Sequence, residues 1–457
     1  MPKGLPPGPQ DWMLGMRTMS RMKADVLSTY TGLHRDFGDA VHFRTGPFRL
    51  FLFFHPDQVR ELLVTRSKSF IRLPRVMETF SQWNGDSILI VEGDRWVRQR
   101  RLVQPAFQPR RFADYGQTIV GITRQLIDSW APSLDRDGSV EIDTNEVMTA
   151  LTLQIICKTL FDIDAARDAR NIAEAVAVLS EVAFNEMQAP IRLPNWWPTG
   201  FYRRKRAAIK TLDDFVWRII RERRAEGRDH GDLLSMLLAA VDEDGDGGRL
   251  DDRQVRDEST TLMLAGHDTT AAALDWVWYN IARFPIVATR CQAEIDSVLA
   301  DRDPASTDVT QLKYVEATIK EALRLFPPAI GVFLRQATET TSIGGYDIPR
   351  GSLVGLSSFV TQRDSRWFAE PERFDPERFL PPAIDQIPSG AYFPFGMGPR
   401  VCVGQSFAMT EMILIVATVL RQCDVSLSSP GQDPGMFVHM ALRPRDQLLL
   451  KIRRRKK

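Results

Sequence analysis

The chain has 457 residues, 44% of them hydrophobic, and a formal net charge of +1, which excludes a nucleic-acid binder working through bulk charge. No run approaches the ~18 apolar residues of a membrane span; the longest apolar stretch, Met412–Leu420, reads as a core helix. Cys157, Cys291, Cys402 and Cys423 lie far apart with no CxxC pair, which argues against a zinc site and a disulfide framework and fits a reducing compartment.

The opening MPKGLPPGPQDWML has no apolar core, so it is not a signal peptide, and a soluble cytoplasmic protein without a membrane anchor is expected. Met13, Met16, Met19 and Met22 recur every third residue and read as helix packing. Residues 40–54, AVHFRTGPFRLFLFF, read as two strands around a Gly-Pro turn, followed by a helix after Pro56. From about 95 onward helices dominate: roughly 95–110, 112–131, 144–160, 168–188, 201–227, 231–242, 251–283, 286–302, 311–326 and 404–422. Strand-like sequence returns at 331–362 and 436–453. With no internal repeat and no linker, a single domain over 1–457 is expected, mainly α with a small β region (α+β). The loop DEDGDGGRLDDR offers Asp242, Asp244, Asp246 and Gly247 as an EF-hand start, but its twelfth position is Arg253, where calcium needs a bidentate Glu.

Three segments carry chemistry. In FPFGMGPRVCVGQSF, Phe395, Gly398, Arg400, Cys402 and Gly404 form F-x-x-G-x-R-x-C-x-G. Glycines let backbone approach a flat object closely, and the apolar helix that starts after Cys402 favours a thiolate at its N-terminal end. Cys157, Cys291 and Cys423 sit in apolar helical runs and read as core. AGHDTT, Ala265–Thr270, lies inside a long buried helix, where a Gly, an Asp and two Thr are costly. The Thr269 hydroxyl can turn to the Ala265 carbonyl and loosen the helix, and Asp268 can relay protons from solvent. His267 is expected to face a neighbouring helix. In GDRWVRQRRLVQPAF, Trp96 and Arg100 share one side of a helix, while Arg98 and Arg101 point outward and, with Arg95 and Arg110, could attract an acidic partner protein.

The cysteine segment resembles the haem-binding loop of the cytochrome P450 family, and the resemblance runs over nearly the whole chain. It implies that haem b lies between the long helix at 251–283 and the helix after Cys402. Cys402 would be the thiolate ligand of iron, with Phe395 beside the sulfur and Gly404 closing the motif. Ala265 and Gly266 would leave room above the cofactor; Asp268 and Thr269 would deliver protons. Trp96, Arg100, Arg335 and Arg400 would bind the haem propionates. EALR resembles the family's buried Glu–Arg pair, here Glu321 and Arg324, completed from PERFDPERF by Arg378, with Arg373 as the alternate. Gln362 stands where many relatives have His, with little expected consequence for mechanism.

The implied function is a monooxygenase placing one oxygen atom of O2 in a lipophilic substrate, hydroxylation first. No fused reductase is expected, so electrons would come from NAD(P)H through a ferredoxin or flavodoxin and its reductase, with the enzyme a monomer. Desaturation, carbon–carbon coupling or peroxide-driven oxidation keep the same motifs; a haem-binding sensor would not need the Asp268–Thr269 pair. The pocket walls expected are the 72–90 loop, the 183–201 region, residues 328–334 and the turn at Met436-Phe437. They supply Phe80, Trp83, Ile88, Phe184, Met187, Trp196, Trp197, Ile330, Val332, Phe333 and Phe437. A fatty acid, terpenoid, steroid or aromatic polyketide would suit this lining.

Overall fold

The structure, a computed structural model, describes residues 4–11, 14–108, 112–164, 168–189, 194–241 and 248–455. Met13, Arg110 and the acidic turn at 242–247 lie outside the described residues. The helices in chain order are α1 (Met16–Ala24), α2 (Val26–Phe37), α3 (Pro56–Arg60), α4 (Pro74–Asn84), α5 (Gly93–Val103), α6 (Phe112–Asp137), α7 (Thr144–Phe161), α8 (Ala169–Gln188), α9 (Gly200–Glu226), α10 (Leu233–Ala239), α11 (Asp252–Arg283), α12 (Pro285–Leu299), α13 (Lys313–Leu325), α14 (Ser358–Thr361) and α15 (Gln405–Gln422). The strands are β1 (Ala40–Thr45), β2 (Phe48–Phe53), β3 (Phe70–Arg72), β4 (Val140–Asp143), β5 (Arg335–Ala337), β6 (Thr341–Ile343), β7 (Tyr346–Ile348), β8 (Leu353–Leu356), β9 (Cys423–Leu427), β10 (Met436–Val438), β11 (Leu442–Pro444) and β12 (Leu449–Arg454). The chain forms two compact units: residues 1–77 with 320–403, and residues 78–319 with 404–457.

The first unit is built on a five-stranded sheet ordered β1-β2-β8-β5-β3. Its centre, Leu50–Phe53 of β2, is buried on both faces and pairs antiparallel with β1 on one edge and parallel with β8 on the other. Phe51, Phe53, Val354 and Leu356 build a core with Leu62 and Leu63 of the turn after α3. In the register of β3 with β5, Arg72 stands opposite Arg335.

The second unit is helical, with a small sheet ordered β4-β12-β9 and the hairpin β10-β11. Helix α11 has 32 residues, about 48 Å at ~1.5 Å each. A capping box starts it: the Asp251 carboxylate accepts from Gln254 N at 2.8 Å, and Gln254 Oε1 accepts from Asp251 N at 3.0 Å. It packs along α7, where Thr152 Oγ1 donates to the His267 carbonyl at 3.2 Å. The run Met412–Leu420 of α15 is wholly buried. Among the described residues no helix is long and apolar enough to cross a membrane.

Two expectations fail. Met16 and Met19 are exposed on α1, whose buried residue is Thr18; a spacing of three drifts round a helix of 3.6 residues per turn and does not hold one face. The segment 72–90 is largely the helix α4 rather than a loop.

Candidate functional site

In the first unit the cysteine loop is fixed by backbone. Cys402 N donates to Phe395 O at 3.0 Å, Val401 N to Gly398 O at 3.1 Å and Gly396 N to Phe393 O at 3.0 Å. Gly398 is required twice: its φ is +73°, and a Cβ there would lie 2.1 Å from the Leu63 carbonyl oxygen. Phe395 and Arg400 are half-buried, as is Arg335. Gly404, at the start of α15, has φ −88° and so needs no left-handed backbone. Cys402 is exposed, whereas Cys157, Cys291 and Cys423 are buried. Burial pushes those three thiols up to about 12, 12 and 11, which keeps them protonated and inert.

Glu321 and Arg324 at the end of α13 are completely buried and joined by two bonds, of 2.6 and 2.8 Å. Asp375 N donates to Glu321 at 2.9 Å, and Arg378 places its Nε 3.4 Å from the same carboxylate. Arg373 instead contributes its carbonyl to Arg324 at 3.2 Å and pairs at the surface with Glu370. Gln362, expected to matter little for mechanism, has a structural role. Its amide is fully buried, donates to the Leu323 and Arg324 carbonyls at 3.1 and 3.0 Å, and accepts from Phe393 N at 2.9 Å. Its own carbonyl receives Arg324 Nη1 at 2.8 Å. One side chain thus ties the ion pair to the start of the cysteine loop. No motif marks it, because its role depends on where Phe393 lies in space.

In the second unit, the middle of α11 departs from the buried pattern of its neighbours. Ala265 and Thr269, one turn apart, are exposed, and Thr269 Oγ1 donates to the Ala265 carbonyl at 2.8 Å. A Cβ on Gly266 would come 2.7 Å from Ile156 Cδ1, so the space this glycine leaves is used by α7. His267 is buried, and burial lowers the basicity of its ring. Asp268 is held by Arg443 of β11: Nη2 donates to Oδ1 at 2.7 Å, while Nη1 reaches Asp275 at 3.0 Å. Burial alone would raise the Asp268 carboxyl, but the Arg443 charge holds it below its ordinary value. Asp275, completely buried, is pushed up to about 7 by desolvation.

Trp96 and Arg100 are half-buried on α5 and Arg101 is exposed. Arg98, expected to point outward, is half-buried and donates to the Arg249 carbonyl at 3.3 Å, and Arg95 pairs with Asp86 at 2.8 Å. The basic face on this helix is therefore partly neutralised.

The expected pocket residues divide between the units. In the second, Phe80 and Trp83 are buried edge to face at 5.7 Å. Ile88 N donates to the buried Glu258 at 2.9 Å, and Thr261 Oγ1 to Ser87 Oγ at 2.7 Å, so this segment is anchored on the first half of α11. Phe184 and Phe437 meet through His439, at centroid distances of 4.8 and 4.1 Å. His439 carries no motif and was missed. Ile330, Val332 and Phe333 are half-buried in the first unit, with Val332 against its core. Met187 is half-buried, and Trp196 and Trp197 are both exposed.

A family model described as Cytochrome P450 matches residues 6–452. The chain is 36% identical over 385 residues to the Cyclooctat-9-en-7-ol 5-monooxygenase of Streptomyces melanosporofaciens, covering 84% of this chain and 81% of that one. It is 31% identical over 477 aligned positions to the Leukotriene-B4 omega-hydroxylase 3 of Mus musculus, covering 98% and 89%. A solved structure, the cytochrome P450DA heme domain, matches with a TM-score of 0.88 at 25% identity, covering 100% of this chain and 99% of that one.

Proposed function

Since the chain belongs to the cytochrome P450 family and is one of its monooxygenases, we propose that its substrate is a lipophilic cyclic terpenoid, hydroxylated at a C–H bond. Similarity to a relative named for cyclooctat-9-en-7-ol supports this class, as does the apolar group of Phe184 and Phe437. The family and fold imply haem, and the donor set fits it. Cys402 is the accessible thiol on a rigid loop, and α11 offers a shallow exposed face at Ala265 and Thr269. Cys402 would hold the iron, with Phe395 beside it; Trp96, Arg100, Arg335 and Arg400 would meet the propionates. When bound, haem supplies O2 binding and the oxidising chemistry.

The overall reaction takes O2, two electrons and two protons, leaving one oxygen atom in the substrate and one in water. The chain's part is to orient the substrate, exclude bulk water and move protons. The observation that carries this reading is the geometry of α11. Thr269 presents its hydroxyl at the exposed face, and the adjacent Asp268 is kept ionised by Arg443, so it can take a proton from the solvent side and pass it on. Electrons come from a separate ferredoxin or flavodoxin with its reductase, itself fed by NAD(P)H. The chain reads as one haem domain over its length, as the span of the family match supports. The buried free thiols favour a cytoplasmic setting.

The test is spectral titration of the haem-loaded protein with cyclooctat-9-en-7-ol and with leukotriene B4, followed by turnover with a ferredoxin system and mass analysis of the product. A shift and an added oxygen with the first compound support the reading; both with leukotriene B4 alone move the substrate to linear lipids. A thiolate-type carbon monoxide spectrum that survives Cys402→Ala refutes the assignment of the ligand.

A further inference from the structure

Helical periodicity gives no reason to expect a lysine in the core, yet Lys205 of α9 is completely buried. An ammonium group there needs an acceptor for each of its three N–H donors, and it has them. Nζ donates to Glu186 Oε1 at 2.5 Å, to Gln82 Oε1 at 2.5 Å and to Asn195 Oδ1 at 2.7 Å. The other oxygen of Glu186 accepts from Gln82 Nε2 at 2.8 Å, and that amide also donates to the Thr79 carbonyl at 3.1 Å. Glu186 is itself only 4% exposed, so the ion pair lies in the interior with its hydrogen bonds met. A lysine suits the place: a compact charge on a flexible stem meets acceptors from three directions, which a planar guanidinium does not.

The four side chains come from four separate stretches of the second unit. Gln82 belongs to α4, Glu186 to the last turn of α8, Asn195 to the exposed segment 194–199 and Lys205 to the second turn of α9. The first three sit among the apolar residues expected to face substrate. Gln82 lies between Phe80 and Trp83 in sequence, Glu186 between Phe184 and Met187, and Asn195 directly before Trp196 and Trp197. The exposed segment is tied to α9 through Asn195 twice, by its side chain on Lys205 and by its carbonyl, which accepts from Arg206 Nη1.

The geometry points to Lys205 as a positioning residue for substrate binding: one buried cation holds α4, the end of α8 and the 194–199 segment in register, so the shape of the apolar wall is set at a single polar junction. This rests on the apolar-substrate reading above. The bonds of the junction involve neither the Ala265–Thr269 turn nor Cys402, so loosening it changes which molecules fit and leaves the iron ligand alone.

The experiment uses the haem-loaded protein and compares Lys205→Met, the double variant Lys205→Met/Glu186→Met, and Asn195→Ala. Lys205→Met strands the Glu186 carboxylate in the interior and lowers the melting temperature. The double variant replaces the ion pair by apolar side chains and recovers much of that loss, which separates stability from positioning. Asn195→Ala changes an exposed segment and keeps the pair of Lys205 with Glu186. Binding is read from the haem spectrum with imidazole, a small ligand of the iron, and with clotrimazole, a bulky apolar azole that also needs the walls. In the double variant the preference for clotrimazole over imidazole falls about tenfold while imidazole binds as before, and Asn195→Ala shifts the ratio in the same direction. With cyclooctat-9-en-7-ol and a ferredoxin system, the double variant raises KM and holds kcat. Azole affinities that are both unchanged, or both weakened alike, in the double variant and in Asn195→Ala make the cluster a matter of stability alone and overturn the proposal. The azole ratio does not depend on the natural substrate, so the absence of any shift with cyclooctat-9-en-7-ol in the unsubstituted protein refutes the substrate class and not the role of Lys205.

Discussion

Replacing Gln362 by Leu removes a buried junction while keeping most of its volume. The Phe393 N–H loses its acceptor at 2.9 Å, and the Leu323 and Arg324 carbonyls lose donors at 3.1 and 3.0 Å. An orphaned buried N–H costs about 1–3 kcal/mol, and each lost bond to a carbonyl contributes about 1 kcal/mol. The carbonyls stand at the end of α13 and recover part of this by relaxing, so the expected destabilisation is about 2–4 kcal/mol. Because Phe393 N–H opens the cysteine loop, the loss is concentrated there. The assay is the melting temperature of the haem-loaded protein together with the rate of haem transfer to apomyoglobin. Gln362→Leu lowers the first by several degrees and speeds the second. Gln362→Glu, which keeps the acceptor for Phe393 N–H, retains more loop order than Leu does. A Gln362→Leu protein with unchanged melting temperature and haem retention refutes the argument that this amide organises the loop.

Thiol labelling of the haem-free protein at neutral pH should mark Cys402 and spare Cys157, Cys291 and Cys423, whose buried thiols titrate at about 12, 12 and 11; equal labelling of all four in the folded protein contradicts the burial. Glu258 is pushed up to about 8 from 4.5 by desolvation. With its folded value raised, it contributes stability that is full below pH 4.5 and is lost as pH rises through about 8. Glu258→Gln, which can still accept from Ile88 N–H, should flatten that part of the stability profile measured by urea unfolding across the same range. Gly398→Ala combines a positive φ with a Cβ 2.1 Å from a carbonyl oxygen, so it should yield a folded protein with weakened haem retention; full retention would show that the loop can move off Leu63.

What could be read from the chain was whatever is encoded within a turn or two of helix. Glu321 with Arg324 is an i,i+3 pair, and the Thr269 bond to Ala265 is an i,i+4 contact; both stand where their spacing puts them. The helix order and the strands at 40–54 followed from periodicity and a Gly-Pro turn. Residues that act across the fold left no such trace. Gln362 matters because Phe393 comes to it, Arg443 because β11 passes Asp268, and His439 because it lies between two phenylalanines. Chemistry and packing can also ask for the same residue type: Gly266 reads as space beside a cofactor, and among the protein's own atoms the nearest to its missing Cβ belongs to Ile156.

That last contact ties two helices into a single choice of side-chain volume. With Ile156 Cδ1 only 2.7 Å from where a methyl group would sit, an alanine at 266 requires the end of that side chain to shift or shorten, and a valine or alanine at 156 alone leaves a gap beside the Ala265–Thr269 turn. The two sites should therefore change together when the enzyme is diversified. A library that varies the α11 motif while freezing α7 would discard usable catalysts for a reason unrelated to their chemistry.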